Sequence, residues 1–223
     1  MAGPLDGIRI LDCTSVVLGP WAAQQLGDMG ADVVRIDRIG GHPGTVDARK
    51  NILDRSRRSV GIDLKSADGI ATALRLIDQA DALVEGFRPG VMERLGLGPD
   101  ICLPRNPRLV YGRVTGWGQS GPLAQAAGHD INYLGITGAL SAIGSETSGP
   151  VPPLNMVADF GAGGMMLTTG ILAALLQAKA RGRGQVVDVA KLAVLFNVRV
   201  DPGNIRSVRV MVRRPRNLHL GDR

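Results

Sequence analysis

Ile8-Arg9-Ile10-Leu11-Asp12 and Ala31-Asp32-Val33-Val34-Arg35-Ile36 flank a segment opened by Gly19-Pro20, in which Ala22, Ala23, Leu26 and Met29 recur at helical spacing. Two short apolar runs around one amphipathic helix make a strand–helix–strand unit. A helical crossover joins parallel strands, and its hand is right-handed. Gly30 follows the helix at the C′ position, where the chain turns through a left-handed backbone. The class is therefore α/β, a parallel sheet with helices against it.

The same alternation continues downstream. Val60-Gly61-Ile62-Asp63-Leu64 reads as a third strand, and Ser66 as the cap of a helix that buries Ile70, Ala73, Leu74 and Ile77. Ala82-Leu83-Val84-Glu85 is a fourth strand, ending at Gly86-Phe87-Arg88-Pro89-Gly90. A short helix carries Met92, Arg94 and Leu95, and Leu109-Val110-Tyr111-Gly112-Arg113-Val114 is a fifth strand. Residues 40–58, with His42, Arg49, Lys50, Arg55, Arg57 and Arg58, read as irregular. This order predicts a Rossmann-like, doubly wound parallel sheet that binds its ligand at the strand C-terminal ends.

Residues 160–178 carry no charge, and that run is long enough to span a bilayer. Four glycines, two threonines and Gln177 dilute it, and an α/β chain precedes it. A buried core helix is the expectation, followed by an extended Gln185-Val186-Val187-Asp188-Val189.

Charge is uneven. Residues 199–223 hold seven Arg against Asp201 and Asp222, whereas residues 1–198 hold 19 basic and 18 acidic side chains. The excess is a tail property without interleaved stacking aromatics, so no nucleic-acid partner is expected. Cys13 and Cys102 have no metal-ligand spacing, and two thiols in a chain this long point to a reducing, cytoplasmic compartment. The first seven residues lack the basic and apolar regions of a signal peptide. No metal is expected, and neither is a membrane partner.

Arg38, Lys65, Arg88 and Arg94 fall at or just after strand ends, a cationic rim suited to phosphates. No G-x-G-x-x-G follows the first strand, and no P-loop is present. His129, one of three histidines, follows a turn-rich loop at 116–122 and suits a general base. Asp159 stands at the head of the uncharged run. It reads either as a helix N-cap or as a general acid raised by burial.

Longer motifs narrow this. Gly30 to Asp37, Glu85-Gly86-Phe87-Arg88-Pro89-Gly90, Gly116-Trp117-Gly118-Gln119, Gly128-His129-Asp130-Ile131-Asn132-Tyr133, Pro152-Pro153-Leu154-Asn155 through Asp159-Phe160-Gly161, and Gly182 to Asp188 resemble the family III CoA-transferase superfamily. Within it they resemble the α-methylacyl-CoA racemases. The resemblance covers residues 1 to about 190. It implies catalytic roles for His129 and Asp159. It also implies CoA contacts at Arg38, at Ile62, Asp63, Leu64 and Lys65, at Gly86, Phe87 and Arg88, at Arg94, and at Gly128, Asp130, Ile131, Asn132 and Tyr133.

The implied chemistry is a 1,1-proton transfer on a 2-methylacyl-CoA thioester. An enolate forms between His129 and Asp159, and backbone N–H groups at the head of the 160s helix receive its oxygen. CoA belongs to the substrate, and no further cofactor is implied. The alternative within the superfamily is CoA transfer with Asp159 as nucleophile. Those relatives resemble Gly-(Phe/Tyr)-Asp where this chain has Gly128-His129-Asp130. The family also implies an interlocked homodimer. Residues 191–223 depart from the resemblance, and are expected to be a basic, poorly ordered end to a truncated or frame-shifted racemase. An inactive CoA-binding remnant is the further alternative.

Overall fold

The computed structural model describes residues 3–40, 51–197 and 212–213. Strands β1 (Arg9–Cys13), β2 (Asp32–Asp37), β3 (Arg57–Gly61), β4 (Ala82–Glu85), β5 (Val110–Thr115) and β8 (Val186–Ala190) form one parallel sheet in the order β3-β2-β1-β4-β5-β8. A two-residue strand, β9 (Val212–Arg213), adds antiparallel to β8. The small hairpin β6 (Gly144–Ser145) and β7 (Gly149–Pro150) stands apart. This is the doubly wound order, with its topological switch point between β1 and β4.

Alternation along the strands builds a core on each face. Ile10, Val33, Ala82, Val84, Val110, Val114 and Val187 pack with Ala22, Ala23 and Leu26 of α1 (Leu18–Asp28), and with Leu167, Ile171 and Ala174 of α6 (Met166–Arg181). Leu11, Cys13, Ile36, Leu83 and Tyr111 point the other way. They meet Ala73 and Ile77 of α2 (Ala67–Ile77), Met92 of α3 (Val91–Arg94) and Cys102 of α4 (Pro99–Arg105). Gly112 lets α6 sit close on β5, since a Cβ there would fall 2.9 Å from Ile171 Cδ1.

Most expected elements appear within a few residues. Gly30 has φ of 102°, and Ser66 Oγ accepts from Gly69 N–H at 3.0 Å. The third strand lies earlier than expected: Ile62 N–H makes a last bond to β2 at Asp37 O (2.9 Å), and Lys65 N–H then turns onto Asp63 Oδ1 (2.9 Å). Helix α4 was not anticipated; its seven residues are too short for a clear apolar period.

The uncharged run begins as a wider π-helical segment (Met156–Met165) that passes directly into α6. There Phe160 N–H donates to Asn155 O, five residues back. Together Met156–Arg181 are long and apolar enough to cross a membrane, with half of the most apolar window buried. The buried stripe of α6 lies on the sheet, as expected of a core helix.

The expected break at 190 falls inside continuous structure. β8 runs straight into α7 (Lys191–Asn197), and Leu195 is buried with Tyr133 and Leu134. Residues 42, 49 and 50, and most of the expected poorly ordered tail, lie outside the described residues.

Candidate active site

A cavity of about 300 Å³ opens at the C-terminal ends of β1, β4 and β5, the position dictated by the switch point. Thr14, Ser15 and Val16 line it after β1, Gly86, Phe87 and Arg88 after β4, and Gly116, Trp117, Gly128, His129, Tyr133 and Lys191 complete the lining.

Local bonds fix these loops. Glu85 Oε2 accepts from Phe87 N–H at 2.8 Å, which curls 86–88 over the end of β4. Gln125 Nε2 donates to Pro89 O at 3.1 Å and ties that loop to the one carrying His129. The glycines of the turn-rich stretch serve close packing. A Cβ on Gly116 would fall 2.0 Å from Tyr133 Oη, and one on Gly128 would fall 2.6 Å from it. Trp117 and Tyr133 then meet edge to face at 4.6 Å.

His129 is the N-cap residue of α5 (Asp130–Thr137), and its backbone N–H donates to Asn132 Oδ1 at 2.9 Å. Asp130, the next residue, is buried and points inward. Its Oδ2 accepts from both Ala158 N–H and Asp159 N–H at 2.8 Å. That carboxylate ties the residue after His129 to the backbone of Asp159. Burial pushes the Asp130 carboxyl above its ordinary range, and the two backbone donors pull the other way.

Asp159 itself is not a cap: Asn155 precedes the helical segment, and Asp159 lies in its first turn. Its Oδ1 instead accepts from Lys191 Nζ at 2.7 Å, in a pair whose side chains are 13% and 6% exposed. Lys191 Nζ also lies 4.3 Å from the centre of the Tyr133 ring. Burial, then the Asp159 charge, pushes the Tyr133 hydroxyl up to about 12.

Of the expected CoA-contacting residues, Gly86, Phe87, Arg88, Gly128 and Tyr133 line the cavity with His129. Arg38, Ile62, Asp63, Leu64, Lys65, Arg94, Asp130, Ile131 and Asn132 do not, and the expected catalytic Asp159 stands behind Lys191 rather than on the lining. Arg38 and Lys65 are exposed at the ends of β2 and β3, along the same edge of the sheet. Ile131 and Asn132 face solvent.

Two expectations change. Three backbone donors near the head of the π-helical segment are already taken, Ala158 and Asp159 N–H by Asp130 and Phe160 N–H by Asn155 O. And Lys191, assigned by charge pattern to the tail, belongs to the site. The strand-end rule that singled out Arg88 would have found it, since it directly follows β8. Among the described residues no cluster suits a metal ion.

A sequence model described as CoA-transferase family III matches residues 5–202. The α-methylacyl-CoA racemase of Mus musculus is 46% identical over 184 residues, covering 82% of this chain and 47% of that protein. The succinate–glutarate CoA-transferase of Agrobacterium fabrum is 36% identical over 207 residues, covering 86% and 52%. A crystal structure of a CaiB/BaiF family protein from Brucella suis superposes with a TM-score of 0.80 at 28% identity, over 89% of this chain and 56% of that one. The chain thus spans about half the length of the curated relatives it matches.

Proposed function

The chain belongs to CoA-transferase family III, and from that premise we propose that it carries the catalytic half of an α-methylacyl-CoA racemase. The observation that carries this is that His129 lines the switch-point cavity, while Lys191, which also lines it, holds the Asp159 carboxylate at 2.7 Å. Asp130, the residue after His129, accepts from Asp159 N–H and links the two backbones. Racemisation needs a base on each side of one carbon. A histidine in addition to the Asp159 carboxylate supplies the second base; CoA transfer through Asp159 needs no base opposite it.

The cavity takes the acyl thioester of a 2-methylacyl-CoA. The exposed Arg38, Lys65 and Arg88 along the sheet edge take the phosphates of its CoA moiety. The Asp159 carboxylate or the His129 imidazole removes the α-proton. The C–H electron pair becomes the enolate double bond, and the partner returns a proton to the opposite face. Each epimer has its own base. A second copy of the chain completes the site in this reading. Ile131, Ile136, Leu154 and Met156 are exposed around it, an apolar surface that such a partner would cover. The free, buried Cys13 and Cys102 support a reducing, cytoplasmic setting.

The test is incubation of (2S)-2-methylacyl-CoA with the purified chain in D2O. Deuterium enters at C2 with loss of optical purity, and both His129→Ala and Asp159→Ala abolish it. Movement of CoA to an added carboxylic acid, with hydroxylamine trapping at Asp159, would instead assign CoA transfer. Bound CoA with neither reaction would assign a binding remnant.

A further inference from the structure

An enolate formed at this site needs a hydrogen-bond donor at its oxygen. The Ala158, Asp159 and Phe160 N–H groups of the π-helical segment are spent on Asp130 and Asn155. Lys191 is placed to do this work. It is 5% exposed, yet it lines the cavity with His129 and Tyr133. Its position is built rather than accidental: Leu192 N–H donates to Gly116 O at 3.0 Å, which starts α7 at the mouth of β5.

An ammonium has three donors and no acceptor. Asp159 Oδ1 takes one at 2.7 Å, and the Tyr133 ring face lies 4.3 Å away. Among the described residues Asp159 is the sole hydrogen-bond acceptor of Nζ. A donor is left for a ligand in the cavity.

We propose that Lys191 is a catalytic residue, donating from its ammonium to the thioester carbonyl oxygen of a bound acyl-CoA and to the enolate oxygen that follows. This rests on the assignment of Asp159 and His129 as the proton-transfer pair. The α-carbon and the carbonyl oxygen of a thioester are two bonds apart, so base and donor must be neighbours, as Asp159 and Lys191 are. When the base takes the α-proton, the C–H pair forms the carbon–carbon double bond and the carbonyl π pair moves onto oxygen. The ammonium keeps its proton throughout and releases the oxygen when carbon is reprotonated. A charged donor that is itself 5% exposed acts more strongly than a neutral amide.

Acetoacetyl-CoA tests this without turnover, because its enolate absorbs in the near ultraviolet. Bound to the native chain it shows the enolate band. Lys191→Met, with binding checked by equilibrium dialysis and folding by circular dichroism, loses that band. Asp159→Asn keeps or strengthens it, because the competing carboxylate is gone; a lysine needed only for the ion pair predicts the reverse. In α-deuterium exchange on 2-methylacyl-CoA, Lys191→Met lowers kcat by about a hundredfold while KM moves by less than about threefold. If Lys191→Met does not fold, Lys191→Gln replaces it, and a partial loss of the band is expected.

An enolate band unchanged in Lys191→Met overturns the proposal. If the band depends on Lys191 while exchange is indifferent to His129→Ala and Asp159→Asn, the proton-transfer assignment fails and the ammonium's role stands. A native chain that does not bind acetoacetyl-CoA overturns both.

Discussion

Two buried ion pairs, Asp12–Arg57 and Asp159–Lys191, are built differently. Asp12–Arg57 is closed, with side chains 0% and 1% exposed. Asp12 Oδ1 accepts from Thr14 N–H at 2.8 Å and Thr14 Oγ1 at 2.6 Å. The Arg57 guanidinium divides its donors among Asp12, Leu53 O and Asp54. Asp159–Lys191, by contrast, rests on one hydrogen bond beside a cavity. A saturated pair holds β1 to β3 and has nothing left to offer a ligand. An unsaturated pair at a cavity wall keeps donors and acceptors in reserve, which is what catalysis requires. Burial and charge alone would not have told the two apart; the count of remaining bonds does.

Removing one partner from each pair should therefore cost different amounts. Arg57→Met strands the Asp12 carboxylate, already pushed up by burial and held down chiefly by Arg57. We expect a loss of about 3–5 kcal/mol in urea unfolding. A loss under about 1 kcal/mol would break the comparison at its firmer side.

Glu85 sharpens the contrast, because it is 2% exposed and among the described residues has only Arg113 Nε at 3.4 Å as a direct ionic partner. Burial pushes its carboxyl from 4.5 up to about 7, against the Phe87 N–H bond and Arg113. Between those two pH values the folded chain holds a proton that the unfolded chain has released. Its contribution to stability is thus complete below about pH 4.5 and is lost as pH rises to about 7. The span is of order 3 kcal/mol. Unfolding curves at pH 5 and pH 8 should show that loss in the native chain and little of it in Glu85→Gln.

At the open pair, Lys191→Met should cost only about 1–2 kcal/mol, since water in the cavity can solvate the freed carboxylate. Thermal unfolding beside Arg57→Met gives the ordering directly, and equal losses would mean that Asp159–Lys191 is structural too. Smallest is Arg38→Ala. This exposed residue should leave stability within about 0.5 kcal/mol while weakening CoA binding, which calorimetry reads. Unchanged affinity would take Arg38 out of the nucleotide rim.

The sheet was legible because its signals are local and periodic. Alternation put Ile10 on one face and Leu11 on the other, Ser66 capped its helix, and Gly30 ended the preceding one. His129 and Asp159 stood out as candidates, since a rare imidazole after a glycine-rich loop and a carboxylate heading an apolar run both show in one dimension.

What folding alone decided is which partner each charge meets. Asp159 could be read as a cap or an acid; a lysine 32 residues away made it half of an ion pair. Asp130 was expected among the CoA contacts, yet it turns inward to take the N–H groups that the enolate was to use. Lys191 looked like the start of a basic tail because charge pattern averages over neighbours, whereas burial is settled residue by residue. Periodicity fixes which face of an element is covered. Pairing across the fold depends on distances between elements that no local pattern encodes.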